Sequence, residues 1–173
     1  MPRWTRSHGV PATFRADLDL SAGERVLAGA AENDGGWVVG TDRALHLGVG
    51  RPSMRKLAWE QIDRASWDED TEQLVVVEVA DFGVPQPRHH FALPRPLRLL
   101  DLVRERVTAS VLLTRHVPLA GSRGLKVIAR RSPTRQGDVI WSAWLDDGLD
   151  PDDPVVRRAV DEGLAAARAE LGQ

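Results

Sequence analysis

Several residue groups in this 173-residue chain have the types that chemistry needs, and each can be tested by spacing. His89 and His90 form the one adjacent imidazole pair. Neighbours on a strand point to opposite faces, so the two do not chelate one ion. The acidic run from Asp146 to Asp153 suggests calcium, but it lacks the spaced oxygens, central glycine and closing glutamate of a calcium loop. Those aspartates suit a helix start instead, where carboxylates accept free N–H groups. Asp68-Glu69-Asp70-Thr71-Glu72 fails the same test, with Gln73 where glycine is needed. Gly121-Ser122-Arg123-Gly124-Leu125-Lys126 does not have phosphate-loop spacing, and no nucleophile elbow is present. With no cysteine and no tyrosine, thiolate chemistry and thiolate metal sites are excluded. His46 alternates with core positions of its strand and is expected to be exposed. No enzyme, metal site or cofactor is expected.

One charge asymmetry stands out. Between Glu105 and Asp138 there is no acidic residue, whereas Arg115, Arg123, Lys126, Arg130, Arg131 and Arg135 all fall there. This segment could bind phosphate or nucleic acid, or it could be neutralised internally by the acidic C-terminal region. The net charge of -2 favours internal compensation. Trp141 and Trp144 are an odd number of residues apart and so lie on opposite strand faces. Trp144 is therefore a candidate for outward contact, and Trp4 in the lead-in is a second candidate anchor.

The elements that would position these groups follow from periodicity. Residues 1–22 are a lead-in with one apolar cluster around Phe14 and Leu18. A strand from Glu24 turns at Asn33-Asp34-Gly35-Gly36 into Trp37–Thr41, and Asp42-Arg43 turns into Ala44–Leu47. Strands follow around Leu57–Trp67, Leu74–Val79 and Arg88–Ala92, the valine run being the most strand-prone. Leu99, Leu100, Val103, Val107 and Val111 then recur at helical spacing after Pro96. Beyond residue 114, Leu125–Arg130 and Asp138–Leu145 read as a hairpin. Asp153-Pro154 opens a last helix with Val156, Val160, Leu164, Ala167 and Leu171 as its apolar stripe.

Strands followed by one amphipathic helix form a mainly β, α+β layout, in which a helix plugs the open end of a curled antiparallel sheet. Gly23-Glu24-Arg25-Val26-Leu27, Val38-Val39-Gly40-Thr41-Asp42-Arg43-Ala44-Leu45 and Trp59-Glu60-Gln61-Ile62 occur in the order seen in bacterial pleckstrin-homology-like (PH- and GRAM-like) domains. Residues 23–113 resemble that family, and 114–173 resembles the hairpin-plus-helix extension of actinobacterial proteins that carry such a domain. The resemblance implies a PH-like barrel closed by a helix. It also implies a non-catalytic interaction module for another protein or a second copy, docking at a strand edge or in a groove beside the helix. Phosphoinositide binding is disfavoured, because the first hairpin, Ala31-Glu32-Asn33-Asp34-Gly35-Gly36, is acidic rather than basic. The alternative is phosphate or nucleic-acid binding through 115–135. No segment is apolar enough to enter a bilayer and no signal peptide is evident, so a cytoplasmic location is expected.

Overall fold

The computed structural model describes residues 9–134 and 136–172, and has mixed α+β architecture with mostly antiparallel sheets. After a short helix α1 (Ala12–Ala16), four strands form the first sheet in sequential order: β1 (Val26–Ala31), β2 (Trp37–Thr41), β3 (Ala44–Val49) and β4 (Arg55–Ala58). A 3₁₀ turn at Trp59–Gln61 leads to the second sheet, β5 (Ile62–Asp68), β6 (Gln73–Glu78) and β7 (Arg88–Ala92). Helix α2 (Leu97–Ser110) follows. The third sheet is β8 (Val111–Ala120), β9 (Arg123–Arg130) and β10 (Ile140–Leu145), and α3 (Pro154–Glu170) ends the chain. Among the described residues, no helix is long and apolar enough to cross a membrane.

The first two sheets share one core. Leu45, Leu47 and Trp59 meet Ile62, Leu74 and Val76 there, and α2 adds Leu99, Leu102 and Val103. Gly40 makes that approach possible, because a β-carbon there would stand 2.5 Å from Leu102 Cδ2. Two contacts clasp the sheets at their corners. Arg55 on β4 grips Glu78 on β6 with two nitrogens at 2.8 Å, and the Asn33 N–H donates to the Ala92 carbonyl at 3.1 Å. His89 donates to the same Glu78 at 2.6 Å, whereas His90 is exposed, so the pair does diverge as strand alternation requires.

The lead-in covers the outer face of the first sheet. Val10 and Leu18 bury themselves with Val39 and Val49, and Phe14 packs 5.8 Å from Trp37. Gly29 leaves room for Val10, whose Cγ2 would lie 2.4 Å from a β-carbon. His46 lies on this covered face, paired across the ladder with Val39, and is fully buried rather than exposed. The expectation failed because it counted one apolar layer where the lead-in supplies a second.

The last third has its own core, in which Leu125, Val127 and Ala143 of the third sheet pack on Val160 and Ala167 of α3. The hairpin therefore does not extend either earlier sheet. Its third strand, β8, was not expected: the helix stops at Ser110, not near residue 113. Ser110 Oγ donates to the Val107 carbonyl at 2.7 Å and its own carbonyl accepts the Arg131 N–H at 2.9 Å, so the helix ladder ends there.

A buried polar cluster fastens the lead-in. The Glu24 side chain is fully buried and accepts from the Thr41 hydroxyl at 2.6 Å, the Ser21 N–H at 2.9 Å and Lys56 Nζ at 2.9 Å. Burial opposes its charge, but these donors outweigh burial and hold its pKa at about 2 against an ordinary 4.5. His46 Nε2 is 3.5 Å from Glu24, and neither ring nitrogen has a hydrogen-bond partner among the described residues. Burial lowers its pKa, with Lys56 acting in the same direction and Glu24 and Asp19 opposing.

These shifts set a pH dependence. A carboxyl with a lowered folded pKa stabilises above its unfolded value and loses that contribution as pH falls towards about 2. The advantage of the native chain over Glu24→Gln, on the order of 3 kcal/mol at pH 7, should therefore shrink below pH 4.5 in denaturant titrations. A histidine kept neutral by burial loses stability as pH drops below its ordinary 6.5. His46→Leu should be within about 1 kcal/mol of the native chain at pH 7. Its stability should vary less between pH 6.5 and 5, and an unchanged slope would contradict the burial argument.

Candidate functional site

Helix α2 crosses the shared core with Leu99, Leu102 and Val103 inward, which leaves Leu100 and Val107 on its flank, half-buried. That flank faces β5, the first strand of its sheet, which among the described residues pairs only with β6. Along β5 every second residue turns inward, so Ala65 and Trp67 are half-buried while Arg64, Ser66 and Asp68 are exposed. Between strand and helix lies a groove of about 410 Å³. Ala65, Trp67, Leu100 and Val107 line it over a base of Leu74 and Val103.

The rim is cationic. Arg64 is tied to Asp63 Oδ2 at 2.8 Å and to Gln86 Oε1 at 3.1 Å. Arg104 is exposed and has no ion pair or hydrogen bond among the described residues. Thr108, also exposed, stands one turn further on. An apolar trough beside an open strand edge can take an extended chain, whose backbone pairs with the edge while alternate side chains enter the trough. Among the described residues no group of three His, Asp or Glu side chains converges for a metal ion.

The basic segment is dispersed. Arg115 lies on the α3 side of the third sheet and meets Glu170 at 3.1 Å. Lys126 is on the opposite face, in register between His116 and Trp144. Arg123 is exposed, with its guanidinium beside Gly148. Arg131 is half-buried and gives its N–H to Ser110. Arg130 is not a surface residue: it is 4% exposed, and donates to the Asp63 carbonyl at 2.7 Å and to Ser110 Oγ at 3.2 Å. A count of charges along the sequence could not see that buried acceptors claim it. Arg135 and Trp4 lie outside the described residues.

The tryptophan expectation holds in its geometry. Trp141 belongs to the α3 core, with the Arg168 guanidinium 5.7 Å over its ring, and Trp144 is half-buried on the other face. A strand edge or a groove beside the helix was expected, but the residues that line it were not among the candidates. Its signals were present in the period-two alternation of Ala65 and Trp67 and in Leu100 and Val107, seven residues apart on one helix flank.

Two arginines that look alike in sequence should behave differently. Arg115→Ala removes an exposed pair and should cost under about 1 kcal/mol. Arg130→Ala removes a buried charge-assisted network and should cost roughly 3 kcal/mol by chemical denaturation. Equal costs would contradict the burial assignment. Compared with known proteins, the chain matches no family model, no curated protein and no solved structure.

Proposed function

We propose that the protein is a non-catalytic interaction module that holds an extended segment of a partner protein along the free edge of β5, beside α2. The observation that carries this reading is the juxtaposition of an unpaired strand edge with an apolar trough. The edge supplies sequence-independent backbone hydrogen bonds, and the trough selects side chains. The segment that fits has apolar residues at alternate positions, directed at Trp67, Leu100 and Val107, and an acidic residue opposite Arg104, which has no ion pair among the described residues. A PH-like reading of residues 23–113 is supported by the order of four strands, three strands and one helix around a shared core. The phosphate or nucleic-acid alternative has less behind it, because Arg115 and Lys126 occupy opposite sheet faces and Arg130 is buried.

A random decapeptide display library panned against the full chain tests the proposal. Enriched peptides should alternate apolar residues, carry an acidic residue and shift the backbone amide resonances of β5 and α2. Thr108→Trp, at an exposed position, fills the trough and should weaken them at least tenfold without changing the melting temperature. Absence of enrichment, or shifts confined to other elements, would overturn the reading.

A further inference from the structure

The third sheet touches the groove at one end, and the contact is polar. Arg130, the last residue of β9, sends its guanidinium across to β5 and α2 together. Nη2 donates to the Asp63 carbonyl at 2.7 Å and lies 3.3 Å from Asp63 Oδ1, while Nη1 donates to Ser110 Oγ at 3.2 Å. The next residue, Arg131, gives its N–H to the Ser110 carbonyl at 2.9 Å. Two consecutive residues thus hold the start of β5 and the end of α2, the two walls of the groove.

Asp63 also marks a break in the ladder. Ile62 pairs with Glu78 and Arg64 with Val77, so Asp63 is the extra residue of a bulge. Bulges on edge strands bend the strand and interrupt further pairing. Here the carbonyl at the bulge is already filled by Arg130. The opposite end of β5 runs into the turn at residues 69–72, which is largely exposed. The edge open to an added strand is therefore Arg64–Asp68, about 17 Å of extended chain.

We propose that Arg130 is a positioning residue, through which the segment after α2 acts as an end stop that closes the groove at Asp63 and fixes the register of the bound peptide. This rests on the reading of the groove as a strand-addition site. A bound segment enters from the 69–72 turn and ends against the Arg130–Asp63–Ser110 junction. The junction is more than a structural tie, because it occupies the Asp63 carbonyl, which an overrunning strand would compete for.

The probe is the tightest decapeptide from the display panning, spin-labelled at one end or the other. One label should broaden amides around Asp63 and Ser110, and the other those around Asp68 and Glu72. Adding four residues to the end at Asp63 should weaken binding at least tenfold, whereas the same addition at the other end should change it less than threefold. In Arg130→Met that penalty should fall below threefold. The variant keeps Asp63 paired, since Arg64 at 2.8 Å and Gln86 at 3.1 Å remain on Oδ2. If Arg130→Met does not fold, the labels and the end-specific penalty in the native chain still decide the matter. A decapeptide that binds on β5 in several registers, or with equal penalties at both ends, overturns the end stop alone. A decapeptide that binds away from β5 overturns the groove reading with it.

Discussion

Neither of the first two sheets can bury an apolar face by itself, and that constraint organises the rest of the chain. The first has four short strands and the second three, too little surface for either to exclude water alone. Face to face they share a core, and α2 completes it by driving Leu102 against Gly40 and Trp59. The groove is a consequence of that placement. A helix that turns Leu99, Leu102 and Val103 inward must leave Leu100 and Val107 on its flank, and among the described residues no strand pairs with that edge of β5 to cover them.

Much of this was legible in the sequence, and what was not has identifiable physical causes. Asn33–Gly36 specified its turn, the Leu74–Val77 run its buried strand, and Asp153-Pro154 its helix start, where Asp153 does accept the Val155 N–H at 2.8 Å. These signals are local. The failures concern what packs on what. His46 is buried because residues far back in the chain fold over it, and Arg130 because its acceptors lie 20 and 67 positions earlier in sequence. Strand β8 escaped notice because Val111 continues the helical period of α2 while beginning a strand, and only the Ser110 side chain marks the change. The groove depends on which edge of the second sheet is left open, a property of topology.

The abundance of arginine takes on meaning through geometry. A guanidinium presents several donors in a fixed plane, so it can hold two acceptor atoms in a set geometry. Arg55 does this between the first two sheets with both oxygens of Glu78. Arg51 does it at the first hairpin, where it meets both Glu32 and Asp34. That contact also gives the acidic residues of the hairpin a role in the fold.

The same reasoning separates the two ways in which this chain joins its parts. Within each unit the contacts are apolar and broad, as between α2 and the shared core or between α3 and the third sheet. At the groove end, the contact between the third sheet and β5 is a small polar junction centred on Asp63. Apolar burial is non-directional and tolerates sliding, whereas hydrogen bonds to a backbone carbonyl and a buried hydroxyl fix distance and angle. Holding a wall at a set position calls for the second kind of contact. Arg130 contributes a defined geometry, so its value to the chain lies in where it places β5 and Ser110.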